Sequence, residues 1–147
     1  MTVLFISIIV ALVVVCLVTM ASKSKSLPAL QIRESPLGGR GVFAGRLYRK
    51  GDVIETCPTL NRHDDDWGGN ATTDYTFGGN NSNSLLALGY GSLYNHSDDA
   101  SAEYSIQDND NVMVFKAKRT IQPNEEITVD YGSDWFTSRG YKKVILK

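Results

Sequence analysis

Three short stretches carry the side chains best placed to do chemistry: Gly39-Arg40-Gly41, Asn95-His96-Ser97 and Asp130-Tyr131-Gly132. Two glycines around one residue let a backbone approach a ligand closely, although most such triplets are plain turns. His96 could shuttle a proton or could hydrogen-bond within the fold. Tyr131, at the end of an alternating run, could be a buried ring before a turn or a phenol aimed at a reacting group. Composition narrows the chemistry. The chain holds two cysteines and two histidines. Cys16 lies in an apolar leader, so the globular part has only Cys57, which reads as a structural residue. A disulfide framework, a multi-cysteine zinc site and a three-histidine metal centre are excluded, and no metal is expected.

The order and spacing of the three stretches say more than any one of them. The sequences SPLGGRGVFA (35–44), HDDDWG (63–68), DYTF (74–77), ALG (87–89), NHS (95–97) and EEITVDYG (125–132) resemble the SET-domain protein-lysine methyltransferases, from about Ile32 to Phe136. Within that family they are most similar to the small histone methyltransferases of the chlorella-virus type. The resemblance implies a SET β-clip fold, made of small curved sheets with a pseudoknot-like crossing near the active site. It implies S-adenosyl-L-methionine as cofactor. The backbone of Gly39, Arg40, Gly41, Val42 and Phe43 would line the cofactor's methionine part, and Asn95 and His96 would hydrogen-bond it. Tyr131 would be the catalytic tyrosine, and Tyr75 would line the lysine channel. Trp135 or Phe136 would stack on the adenine. Position 129, two before the tyrosine, would set how many methyl groups the lysine takes: Val129 there leaves room for more than one, or Val129 only packs in the core and Tyr75 or Tyr90 restricts the channel instead. The implied substrate is a basic protein, foremost a histone tail carrying a repressive Polycomb-type mark. Direct nucleic-acid binding is not implied, and a homodimer is left open.

The chemistry agrees with this inventory. Methyl transfer from a sulfonium to an amine is an in-line displacement. At pH 7 a lysine with a pKa near 10.4 is mostly protonated, and freeing its lone pair costs on the order of 4–5 kcal/mol. A positive sulfonium and an apolar channel both disfavour the ammonium. Tyrosine walls would desolvate the amine and fix its lone pair, and they also suit methylated ammonium groups. The acidic groups Asp64-Asp65-Asp66, Asp98-Asp99 and Glu125-Glu126 read either as solvated loops or as a groove that attracts a basic peptide.

The elements that must hold these residues read as mostly β. Short strands are expected at Leu30–Arg33, Gly41–Ala44, Asp52–Glu55, Asn111–Lys118 and Glu126–Asp130. A long polar loop is expected from Asn61 to Ser84, and one helical turn from Ser84 to Gly89. The soluble part suits one small domain. A formal net charge of -1 argues against a polyanion-coating protein. The first 20 residues carry no charge and, at about 1.5 Å per residue, would span a bilayer core as a transmembrane helix; the rival readings are a mis-called start and a cleaved signal peptide, the latter against the lack of a basic residue before the run and the poor cleavage site at Thr19-Met20-Ala21. The expected layout is a membrane anchor at 1–20, a linker at 21–29, a SET domain at 30–137 and a C-terminal tail at 138–147. Lys23, Lys25 and Arg33 follow the span and no Lys or Arg precedes it, so the domain should face the cytoplasm of a single-pass protein, with the nuclear envelope as one such site. Two alternative functions stay open: methylation of a non-histone protein at the membrane, and a catalytically silent SET-like module that binds lysine peptides.

Overall fold

A computed structural model describes residues 28–68 and 71–142. The expected membrane span and most of the linker lie outside these residues. Among the described residues no helix is long and apolar enough to cross a membrane. The chain between is mostly β. It forms β1 (Leu30–Glu34), β2 (Arg40–Ala44), β3 (Val53–His63), β4 (Thr76–Gly78), β5 (Asn83–Ala87), β6 (Asn95–His96), β7 (Ala102–Gln107), β8 (Val112–Ala117) and β9 (Glu126–Val129), followed by a short helix α1 (Trp135–Ser138). One sheet has the order β1-β2-β9-β6 and the other β4-β5-β3-β8-β7.

Strands flanked on both sides read as near-continuous apolar runs, as expected for strands covered on both faces. Ile127, Thr128 and Val129 of β9 are all buried, and so are Met113, Val114 and Phe115 of β8. With Tyr48, Tyr94, Leu85, Ile121 and Val42 they form the core. Each such large apolar side chain contributes about 1.5–3 kcal/mol on burial.

The 11-residue β3 is longer than the short strand expected at Asp52–Glu55. Its first half pairs with β8, ending at Pro58 opposite Val112. Its second half pairs with β5, starting at Thr59 opposite Ala87. Proline cannot donate to a ladder, and here it sits where the strand changes partners. The expected helical turn at Ser84–Gly89 is instead β5, held between β3 and β4. Leu85 and Ala87 point into the core while Leu86 is half-buried, an alternation hidden in the sequence by two adjacent leucines. The expected loop from Asn61 to Ser84 contains the end of β3, two 3-10 turns (Asp64–Trp67 and Thr73–Tyr75) and β4. The strand β7 had no counterpart in the sequence reading. It forms a hairpin with β8 around Asp108, Asn109 and Asp110, all left-handed, a conformation that Asn and Asp tolerate better than most residues.

Candidate active site

The two-residue β6 runs parallel to β9, pairing Asn95 with Thr128 and His96 with Val129. This pairing brings the Asn95-His96 stretch beside Tyr131, 35 residues later. Two hydrogen bonds then fix the tyrosine. Its backbone N–H donates to His96 Nδ1 at 3.1 Å, and its hydroxyl donates to the Tyr94 carbonyl at 2.8 Å. Because Nδ1 accepts, the neutral imidazole carries its proton on Nε2. That atom is buried without a hydrogen-bond partner; Asp98 Oδ1 lies 3.4 Å away. His96 is therefore a structural hydrogen-bonder that orients the tyrosine's backbone.

The glycine turn joins the same network. Asn95 Nδ2 donates to the Arg40 carbonyl at 3.3 Å and to Glu126 Oε1 at 2.8 Å. Ser35 Oγ donates to Glu126 Oε2 at 2.8 Å and accepts from the Leu37 N–H at 2.9 Å. Glu126 thus ties the turn before β2 to β6 and β9. Sequence reading grouped it with acidic residues that are either solvated or attract a basic peptide; a carboxylate opening the alternating β9 run was the available signal. Its neighbour Glu125 pairs with Arg119 and accepts from the Gln122 N–H. Gly41 is explained by packing: a Cβ there would lie 2.0 Å from Glu126 Oε1 and 2.9 Å from Asn95 Nδ2. Gly38 and Gly39 differ. Both have positive φ, at 133° and 56°, and a Cβ on either would meet nothing within 4 Å, so their backbone borders open space.

Two cavities, each of about 470 Å³, have Tyr131 in their walls. The first is bordered by Gly38, Gly39, Arg40, Asn95, His96 and Phe136. The second is bordered by Phe77, Tyr94, Tyr104, Asp134 and Arg139. Asp74, Tyr75, Ser92, Tyr131 and Trp135 belong to both walls. A third cavity is bordered by Asp98, Asp130 and Ser133 beside Phe136. Tyr131 is raised to about 12, first by burial and then by the neighbouring Tyr75 and Glu126, so it stays a neutral phenol at physiological pH. Cys57 lines neither cavity. Burial first, and then Glu55, raise its thiol to about 12, which leaves it unreactive.

These features meet known proteins at one point. The SET domain pattern matches residues 39–132. A fission yeast (Schizosaccharomyces pombe) histone-lysine N-methyltransferase, specific for H3 lysine 37, is 31% identical over 112 residues, covering 73% of this chain and 76% of its own. The crystal structure of a candidate histone methyltransferase from Plasmodium falciparum superimposes with a TM-score of 0.64 at 38% identity, covering 74% of this chain and 97% of its own. The chain belongs to the SET-domain family. The curled sheets are those of a SET domain, and its relatives support protein-lysine methylation as the general activity. SET methyltransferases use S-adenosylmethionine.

The residues of this SET domain fit such a group. The first cavity lies within the 300–1,000 Å³ range of small-molecule sites. Its edge offers the open backbone of Gly38 and Gly39, and one of its wall residues, His96, carries the orphaned Nε2 donor. Of the expected cofactor residues, Gly39, Arg40, Asn95, His96, Tyr131 and Trp135 stand on its wall. Gly41, Val42 and Phe43 do not. Val42 is fully buried in the core, and the Phe43 ring lies under the Arg33 guanidinium, 4.0 Å from the ring centroid. Phe136 packs edge-on against His96 at 5.0 Å, while Trp135 packs on Tyr131 at 4.7 Å. Val129 is fully buried and absent from both walls.

Proposed function

We propose that this protein is an S-adenosylmethionine-dependent protein-lysine N-methyltransferase acting on a histone tail. The observation that carries the proposal is the pair of cavities meeting at Tyr75 and Tyr131. A methyl donor in one and a lysine in the other would react across that shared wall. Gly38, Gly39, Arg40, Asn95 and His96 would hold the cofactor, with Trp135 and Phe136 offering flat faces to its adenine. Bound there, S-adenosylmethionine would supply an electrophilic methyl group. Tyr75, Phe77, Tyr94 and Tyr104 would surround the lysine stem and strip water from its amine. Tyr131, its own proton already donated to Tyr94, offers only lone pairs to a neighbour and so accepts from the amine N–H, aligning the nitrogen. Asp134 and the nearby Asp98 and Asp130 would draw in a basic peptide.

Within the histone tail, resemblance to the small viral enzymes favours the repressive Polycomb-type site, whereas the fission yeast relative is specific for H3 lysine 37. A panel of H3 peptides, each with one lysine replaced by arginine, assigns the position by which replacement abolishes methylation. A second reading is a membrane-proximal, non-histone substrate. It is favoured by the uncharged residues 1–20 followed by Lys23 and Lys25. In that reading the protein is a single-pass membrane protein whose SET domain faces the cytoplasm. Incubation with a cell lysate and labelled cofactor would distinguish the two: labelling confined to histones supports the first, and labelling of membrane proteins alone supports the second.

A further inference from the structure

The wall shared by the two cavities rests on two very short elements. The 3-10 turn Thr73–Tyr75 carries Tyr75, and α1 carries Trp135. Neither has a buried residue or a side-chain cap, and single turns of this length do not persist on their own. They are joined through Asp74. Its Oδ1 accepts from Arg139 Nε at 3.2 Å, and its Oδ2 accepts from the Tyr141 hydroxyl at 2.8 Å. Arg139 also donates to the Thr73 carbonyl at 3.3 Å and to the Trp135 carbonyl at 3.4 Å. Its guanidinium lies 4.7 Å from the Trp135 ring centroid, and Trp135 in turn lies 4.7 Å from Tyr131. The Asp74 and Arg139 side chains are only 22% and 27% exposed, so the pair is less screened than an ordinary surface pair. This arrangement reaches beyond the SET-matched residues, which stop at 132, and past the expected domain end at 137.

We propose that Asp74 is a positioning residue: by clasping Arg139 and Tyr141 it holds Trp135 against Tyr131 and sets the aperture through which the two cavities communicate. The proposal rests on the methyltransferase reading above. Both ligand sites share the clasped wall, so loosening it should lower turnover as well as weaken binding. The test uses the full chain and a histone H3 peptide. Asp74→Asn should lower kcat at least tenfold at saturating ligands and raise KM for peptide and cofactor severalfold. Arg139→Ala should do the same, and the Asp74→Asn/Arg139→Ala double variant should be no worse than either single one. Exchanging the charges (Asp74→Arg with Arg139→Asp) should restore part of the lost kcat; no recovery would mean that Asp74 acts on substrate directly and would overturn the positioning role. Tyr141→Phe removes one hydrogen bond and provides a milder variant should Asp74→Asn fail to fold.

A second readout does not depend on activity. In a Trp67→Phe background Trp135 is the sole tryptophan, and with excitation selective for tryptophan Asp74→Asn should shift its emission to the red without loss of circular dichroism. Wild-type protein that transfers no methyl group would sink the functional reading alone, while the fluorescence would still report on the clasp. Asp74→Asn with kcat within twofold of wild type and unshifted emission would overturn the inference.

Discussion

Tyr131 is the residue on which the chemistry turns. Its hydroxyl is fixed by the Tyr94 carbonyl and its backbone by His96, so Tyr131→Phe keeps the packing and removes only the oxygen. Methyl transfer should fall by about 100-fold or more, the scale for losing one positioned polar group in an active site. Cofactor affinity should stay near wild type, and stability should fall by about 1–3 kcal/mol as the Tyr94 carbonyl loses its donor. Calorimetry and a timed methylation assay check both halves, and unchanged turnover would remove Tyr131 from the mechanism. The pH profile gives a separate test. Tyr131 ionises only at about 12, whereas free lysine ionises near 10.4. The rate under subsaturating peptide should therefore rise with pH from 7 toward 10 as the amine deprotonates. It should show no decline at the ordinary tyrosine value of about 10. A fall there would mean that the phenol titrates normally.

At the scale of elements, the site depends on three segments being stitched at one junction: the turn before β2, β6 and β9. Gly41→Ala would push a methyl group into Glu126 and Asn95. The expected cost is about 1–3 kcal/mol, typical of overpacking, with cofactor binding weakened because Arg40 and Asn95 move together. Urea denaturation and calorimetry of the variant measure the two effects; wild-type stability would show that Glu126 swings away freely. This junction explains what the sequence could and could not reveal. Tyr131, Asn95 and His96 were legible because motif order betrays a shared site. Glu126 was missed because an acidic residue at a strand start looks the same whether solvated or bonded by Asn95 and Ser35. The strands β1 and β2 were legible as short runs broken by glycine, and β8 and β9 from their alternation. The strand β5 was misread because its alternation is masked by Leu85-Leu86, and β4 and β7 because their partners, not their propensities, make them strands.

For the whole molecule, several buried groups make stability depend on alkaline pH. Tyr48, Tyr94, Tyr131 and Cys57 all ionise above their ordinary values, each chiefly because burial disfavours the charged form. Above about pH 9, starting with the thiol at its ordinary 9.0, the unfolded chain sheds protons that the folded chain retains. The unfolded state then binds fewer protons, so stability falls as pH rises. Urea midpoints should be level from pH 7 to 8.5 and should drop steadily toward pH 11. A flat profile would mean that these groups are solvated. The uncharged leader makes a second prediction at this scale. If residues 1–20 anchor the protein as in the second reading above, it should resist alkaline carbonate extraction, and the Asn-x-Ser/Thr triplets at Asn70 and Asn80 should stay unglycosylated; full extraction would overturn the anchor, and glycans at either site would overturn the cytoplasmic orientation.

The most direct test of the central claim is mass spectrometry of a histone H3 tail peptide incubated with the full-length protein and S-adenosylmethionine. The account predicts methyl groups on a lysine side chain, accumulating with time and lost in Tyr131→Phe. Cofactor binding with no methylated peptide would contradict it and favour a silent lysine-peptide module. So would methylation that persists unchanged in Tyr131→Phe, which would place the chemistry away from the wall between the two cavities.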